Sequence, residues 1–220
     1  PRIGLLISGD ELVPPGTARQ PGSIWESNGT LLETMLRALG QSVTQRRVVA
    51  DQPDALRQAL LDLAHDCDVV VSTGGVSAGD TDWIRPLVAE LGAVDFWKLF
   101  LRPGRPFAFG SIGEGVPFFG LPGNPVAAAV TALQLLWPAL QVLEGQSEPE
   151  LFPRVMVELA DPLSRRPGRP ELARARLDTN AAGTLLARVD GSQASSRIGS
   201  LQQADLLLEL PADAGPLESG

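Results

Sequence analysis

The chain has 220 residues, 44% of them apolar and 20% charged, an ordinary globular balance that excludes a disordered or fibrous chain. Its formal net charge is −8, with most of the excess in residues 1–150. An acidic chain without a Lys/Arg-rich run lacks the phosphate-neutralising surface of a general nucleic-acid binder, although a few converging cations can still hold a small anion.

In chain order, Arg2–Ser8 carries apolar side chains on both faces, the mark of a strand buried within a parallel sheet. Gly9, Asp10 and Glu11 end it, and Pro14, Pro15, Gly16, Pro21 and Gly22 make a long loop. Ser27-Asn28 can cap a helix with apolar positions at Leu31, Leu32, Met35, Leu36 and Leu39, closed by Gly40. Val43–Val49 reads as a second strand. Asp51–Asp54, with Pro53 at a first helical position, opens a second helix through Leu63. Asp68–Ser72 is a third buried strand, followed by the Gly-rich stretch 73–80 and a helix over Trp83–Leu91. Ala93–Leu101 is strand-like, and Pro103-Gly104-Arg105-Pro106 turns the chain. Phe107–Phe109 and Val116–Phe119 are strands, and Gly120–Pro125 opens an apolar helix to about Leu143.

Strands and helices alternate up to about residue 147, which predicts an α/β unit: a three-layer, mostly parallel sheet with helices on both faces. Glu144–Pro153 turns polar and marks a boundary. Short alternating runs at Val155–Leu159, Leu172–Leu177, Thr184–Val189 and Asp205–Leu210 then predict a small all-β, barrel-like domain over 151–214. A single Cys67 and a single His65 leave neither an internal disulfide nor a Cys/His zinc site. No apolar stretch reaches the roughly 20 residues of a membrane span and no signal peptide opens the chain, so a cytoplasmic setting without membrane is expected. Pro1 in place of Met, with a strand following at once, reads as a piece cut from a longer chain.

In a doubly wound sheet ligands bind beyond the carboxyl ends of the strands. Those ends carry Ser8-Gly9-Asp10-Glu11, Asp51, the loop with Gly74, Gly75, Ser77, Asp80 and Asp82, the cations Lys98, Arg102 and Arg105, and the turn Pro122-Gly123-Asn124. Carboxylates, cations and exposed amides together suit a phosphate with a divalent ion. Each feature also has a plainer reading: the glycines as a tight turn, Asp51 and Asp82 as helix caps, the Arg turn as solvated charge. Lys98 stands apart as the single lysine among seventeen arginines, set in an aromatic run.

Taken in order, Ser-Gly-Asp-Glu-Leu at 8–12, Ser-Asn at 27–28, Thr-Gly-Gly-Val-Ser-Ala-Gly-Asp-Thr-Asp at 73–82, Phe-Trp-Lys at 96–98, Arg-Pro-Gly-Arg-Pro-Phe-Ala-Phe-Gly at 102–110 and Gly-Leu-Pro-Gly-Asn-Pro-Val at 120–126 resemble the MoeA-type molybdopterin molybdenumtransferases, the family of the gephyrin C-terminal part. The resemblance implies the last step of molybdenum cofactor synthesis: adenylylated molybdopterin and molybdate as substrates, AMP released, and Mg²⁺ as the divalent ion. It implies catalytic roles for Glu11, Asp51, Asp82 and Lys98, with Asp51 and Asp82 on the metal. It implies ligand contacts from Ser8, Gly9, Asp10, Gly74, Gly75, Ser77, Asp80, Arg102, Pro122, Gly123 and Asn124, and from Arg174 and Ser195 in the second domain, with Arg169 or Ser196 as alternatives. It further implies N-terminal domains, a homodimer, and a molybdopterin adenylyltransferase as partner. The sequence departs from many relatives at Arg102, where they carry lysine, and at Ala127, where they carry serine. A non-catalytic, gephyrin-like partner-binding scaffold is the alternative function.

Overall fold

The computed structural model describes residues 1–76, 82–189 and 191–220, which divide into two compact units. The first comprises Pro1–Leu99 with Gly104–Glu150, and the second Phe100–Pro103 with Leu151–Gly220.

In the first unit, strands β1 (Ile3–Ser8), β4 (Val43–Val49), β5 (Val69–Thr73), β6 (Gly92–Trp97), β7 (Ala108–Ile112) and β8 (Val116–Leu121) form a six-stranded sheet in the order β4-β1-β5-β8-β7-β6. All pairings from β4 to β8 are parallel, and β7 runs against both of its neighbours. Two-residue strands β2 (Leu12–Val13) and β3 (Ile24–Trp25) pair with each other beside the main sheet.

Helices α1 (Asn28–Ala38), α2 (Pro53–Asp66) and α3 (Ile84–Leu91) connect the strands, and α4 (Pro125–Thr131) runs through a π-helical turn, Ala132–Leu136, into α5 (Trp137–Leu143). Pro138 sits one residue into α5. It lacks an amide hydrogen and its ring would strike the carbonyl four residues back, so the wider turn before it lets the helix continue.

The period-2 alternation of buried strands divides the apolar side chains between two cores. Ile3, Leu5 and Ile7 of β1 with Val69 and Val71 of β5 face Leu32 and Leu36 of α1 and Ala128, Leu136 and Leu140 of the last helix. Leu6 and Val70 face the other way, onto Leu56, Leu60 and Leu63 of α2 and Ile84, Leu87 and Val88 of α3. Three layers follow directly: a sheet apolar on both faces must be covered on both. By length and composition Pro125–Leu143, 19 residues, could span a bilayer, more than the sequence reading allowed; most of it is buried, as a core helix requires.

Ser27 makes no side-chain cap at α1; Glu26 Oε1 instead accepts the Gly29 N–H at 2.7 Å. Asp51 does not cap α2, whose cap residue is Gln52. The strand foreseen over Ala93–Leu101 stops at Trp97, because Lys98 takes a φ of 75°, outside the extended region.

The second unit holds β9 (Glu158–Leu159), β10 (Glu171–Thr179), β11 (Leu185–Arg188), α6 (Gly199–Gln202) and β12 (Leu206–Leu210). The four strands make a sheet in the order β12-β10-β11-β9. The described pairings leave β12 and β9 as edges, an open sheet where the sequence suggested a barrel. This unit reaches the last residue, since the Gly220 N–H donates to the Leu159 carbonyl at 3.1 Å. Phe100–Pro103 also joins it, although the sequence reading put this segment in the first domain: Arg102 N–H donates to Pro170 O at 2.9 Å and Leu172 N–H to Arg102 O at 2.8 Å.

Candidate functional site

The chain leaves β1 to make β4 on one side and returns past it to make β5 on the other, so β1 and β5 flank the point where the winding reverses. That crevice is where open α/β sheets bind ligands. Ser8 ends β1 and is 5% exposed. Asp10 follows, and one of its carboxylate oxygens accepts the Asp51 backbone N–H at 2.9 Å, tying the end of β1 to the end of β4. Glu11 lies against Gly9, where an added Cβ would come within 2.9 Å of Glu11 Oε2.

Asp51 Oδ1 and Ser8 Oγ are both shut from solvent without a hydrogen-bond partner. Burial pushes the Asp51 carboxyl above its ordinary pKa, the charges of Asp10 and Glu11 add to the rise, and the nearby Ser8 hydroxyl and Asp10 amide oppose it. An acid with an unsatisfied buried oxygen and two acidic neighbours is set to take a proton or a cation.

Beyond β5, Gly74 (φ +90°) and Gly75 (φ +62°) bend over Ser8. A Cβ on Gly74 would stand 2.3 Å from the Ser8 carbonyl oxygen, and one on Gly75 would stand 3.1 Å from Ser8 Oγ. Only glycine permits this approach with this backbone. Gly123, after β8, packs against Gly74, an added Cβ lying 3.5 Å from the Gly74 Cα. Thr73 Oγ1 donates to Pro122 O at 3.0 Å, and Asn28 Nδ2 donates to Thr73 Oγ1 at 2.8 Å and to Gly123 O at 2.7 Å. Asn124 precedes α4 and makes no side-chain cap.

Ser8, Gly9, Asp10, Glu11, Asp51, Gly74, Gly75, Pro122 and Gly123 are therefore brought together. Thr73 and Asn28 join them and were missed as site residues: the Ser-Asn pair matches a cap signature, and only the tertiary fold turns Asn28 inward. Ser77 and Asp80 lie outside the described residues. Asp82 stands two residues ahead of α3, whose N-cap residue is Trp83.

Lys98 is at the same rim, because β6 runs with β8, but on the far side of the sheet. Three strand spacings separate β6 from β5 and five separate it from β4, roughly 14 and 24 Å. Its N–H donates to Phe107 O at 2.8 Å.

The second unit carries its own cluster. Arg174 is 3% exposed. Its Nε–H donates to Ser200 Oγ at 3.0 Å, and its terminal nitrogen reaches the carbonyls of Ser192 and Ala194 at 3.5 and 3.4 Å. Burial depresses its pKa, while the charge of Glu171 raises it. The hydroxyl bonded to Arg174 is that of Ser200, which the one-turn helix α6 presents and which the sequence reading did not name. Arg174, Arg176 and Arg188 line a hollow with Ser200 and Gln203. Arg102 pairs with Glu171 at 3.5 Å, so its charge is answered within its own unit. Arg169 donates to Leu101 O at 3.2 Å.

Residues 4–142 match the family described as a probable molybdopterin binding domain, and residues 156–220 match the MoeA C-terminal region, domain IV. The chain belongs to the molybdopterin-binding family. Its relatives narrow the kinship to the MoeA type. It is 31% identical over 219 residues to a molybdopterin molybdenumtransferase of Haemophilus influenzae, covering 100% of this chain and 54% of that one. It is 35% identical over 214 residues to the molybdenum cofactor synthesis protein cinnamon of Drosophila melanogaster, covering 96% and 35%. A MoeA protein structure from Pyrococcus horikoshii superposes with a TM-score of 0.82 at 27% identity, covering 100% of this chain and 52% of that one. The chain spans about half the length or less of the relatives it matches.

Proposed function

We propose that this chain is the part of a molybdopterin molybdenumtransferase that holds adenylylated molybdopterin, in an enzyme that exchanges AMP for molybdate in the last step of molybdenum cofactor synthesis. The observation that carries the reading is the convergence of Ser8, Asp10, Glu11 and Asp51 with the Gly74-Gly75 bend and the Gly123 turn at the winding reversal. A site rich in both acids and close-approach glycines suits a phosphate that arrives with a cation, since carboxylates and phosphate repel each other without one.

Among the described residues no three carboxylate, imidazole or thiol groups gather into an all-protein metal cage. Mg²⁺ does not need one: it keeps several waters and is bound through one or two carboxylates plus phosphate oxygens. The unpartnered Asp51 Oδ1 fits that demand, with Asp82 as the second carboxylate. When bound, such an ion would supply Lewis-acid charge to the anhydride, and Asp51 would be one of the carboxylates to hold it. Asp10 fixes the backbone of Asp51. Gly74 and Gly75 admit the diphosphate close to the main chain. Glu11 keeps the acidic field of the site, and Lys98 at the far side of the rim answers charge on the substrate's distal end. In the second unit, the Arg174 guanidinium with the Ser200 hydroxyl is the reading for the molybdate oxyanion. A homodimer and an adenylyltransferase that hands over the substrate complete the proposal, set in the cytoplasm.

The test is calorimetric titration of AMP with Mg²⁺ into the wild-type chain and into Asp51→Ala. The reading expects binding to the wild type and at least about tenfold weaker binding to the variant, about 1.4 kcal/mol. Equal affinity for both removes Asp51 from the site.

A further inference from the structure

A chain of contacts runs from the outside of the first unit into the site. Arg46, on β4, pairs with Glu26, which is 3% exposed. Its guanidinium occupies the space beside Gly29, where an added Cβ would lie 2.4 Å from the Arg46 Cζ. Glu26 in turn accepts the Gly29 N–H at the start of α1. The first turn of α1 is therefore held against β4 from one side, and this fixes Asn28, which is 9% exposed.

Both hydrogens of Asn28 Nδ2 are spent on the site: one goes to Thr73 Oγ1 and the other to Gly123 O. Thr73 passes its own hydrogen on to Pro122 O. Two successive carbonyls of the turn after β8 are thereby drawn inward. In a trans peptide the next N–H lies opposite the carbonyl, so the N–H groups of Gly123 and Asn124 are turned outward. Both residues are exposed, and neither N–H has an acceptor among the described residues.

We propose that Asn28 is a positioning residue. By holding the Pro122 and Gly123 carbonyls inward, it presents the Gly123 and Asn124 amides to the ligand's diphosphate. The proposal rests on the pterin-nucleotide reading above and adds the residue that sets the orientation of this turn. An acceptor at position 28 would repel the Gly123 carbonyl and release or flip the peptide, which places a carbonyl where the anion needs a donor.

The experiment titrates pyrophosphate, with Mg²⁺ in the buffer, into the full 220-residue chain at a temperature where circular dichroism shows every variant folded. Affinity is read by calorimetry, and the Gly123 and Asn124 amide resonances by nitrogen–proton correlation spectra. The wild type is expected to bind with both amides shifting. Asn28→Asp, of the same shape with the donor replaced, is expected to bind about tenfold or more weakly with those shifts lost. Thr73→Val removes the linking hydroxyl without adding charge and is expected to weaken binding in the same way, while Thr73→Ser restores it. The double variant is expected to be no weaker than the weaker single one, because both act through one turn. If Asn28→Asp does not fold, the Thr73 pair decides by the same criterion. A folded Asn28→Asp or Thr73→Val that binds within about twofold of wild type, or wild-type binding that leaves the two amides unmoved, overturns the positioning role and leaves the nucleotide reading standing. A wild-type chain that binds neither pyrophosphate nor AMP overturns the nucleotide reading itself, and the positioning role with it.

Discussion

Lys98 has a φ of 75° and is the only non-glycine residue with a positive φ among those described. For an L-residue the left-handed region costs roughly 1–2 kcal/mol, and glycine escapes that cost at the expense of about 0.5–1 kcal/mol of extra freedom in the unfolded chain. Lys98 is exposed and makes no ion pair among the described residues, so removing its side chain should give up little packing. Lys98→Gly is therefore expected to be more stable than wild type by about 0.5–1 kcal/mol, whereas Lys98→Ala keeps the strain and stays within about 0.5 kcal/mol of wild type. A urea titration followed by tryptophan fluorescence measures the order, with Trp97 adjoining the site of change. The two variants lose the same charge, so their difference isolates the backbone. If the same Lys98→Gly chain also binds the pterin nucleotide more weakly, strain has been retained for the sake of an ammonium at that place. A Lys98→Gly chain no more stable than Lys98→Ala refutes the reasoning.

Asp51 has a raised carboxyl pKa in the folded state, so between its unfolded and folded values the native chain holds more protons. Stability must then fall as pH rises through that window and stay lowered above it. Asp51→Asn is expected to gain on wild type at pH 7 and to match it near pH 3; a gap that does not vary with pH contradicts this. Gly74→Ala puts a Cβ 2.3 Å from the Ser8 carbonyl oxygen at a φ of +90°, and should cost about 2–4 kcal/mol. Gly40→Ala, at a φ of +80° with nothing within 4 Å, should cost only about 1–2 kcal/mol, so chemical denaturation of the pair separates close approach from backbone strain. Arg174→Lys removes the Nε donor to Ser200 and leaves a point charge in a buried place; about 1–3 kcal/mol of stability and most molybdate affinity should go with it, read by denaturation and by molybdate titration.

The first unit's architecture was open to reading because its strands are apolar on both faces and its helices carry period-3.6 stripes; nothing but a covered parallel sheet satisfies Ile3, Leu5 and Ile7 together with Leu6. The acids and glycines at strand ends were legible for the same reason, since a parallel sheet collects whatever follows its strands at one rim. Other features depended on contacts far apart in sequence. Asn28 is 45 residues from Thr73 and 95 from Gly123, and a local signature gives no sign of either bond. Ser200 is 26 residues from Arg174, and no local pattern in the sequence announces their bond. Phe100–Pro103 follows a first-unit strand yet bonds to the start of β10, because β11 pairs only with Arg176–Thr179 and leaves the backbone of Glu171 and Leu172 open on that side. The end of β6 was misplaced by four residues because an apolar run keeps its strand-like pattern through a residue whose φ has turned positive.

The corrections share a physical pattern that bears on the site. Glu26, Asp51 and Asn28 all stand at or just before helix starts, where a polar side chain ordinarily serves its own helix. Glu26 does so: it caps α1 while paired to Arg46. Asn28, the first residue of α1, bonds across to β5 and to the turn after β8. Gln52 stands at the cap of α2, and Asp51 Oδ1 stays shut from solvent next to the Ser8 hydroxyl, which lowers the carboxyl pKa against the effect of burial. A buried unsatisfied carboxylate is costly, and it persists where a ligand or cation completes it. The position of Asp51 one residue short of the cap leaves that carboxylate facing Ser8, Asp10 and Glu11 at the end of β4, which the Asp51 titration tests.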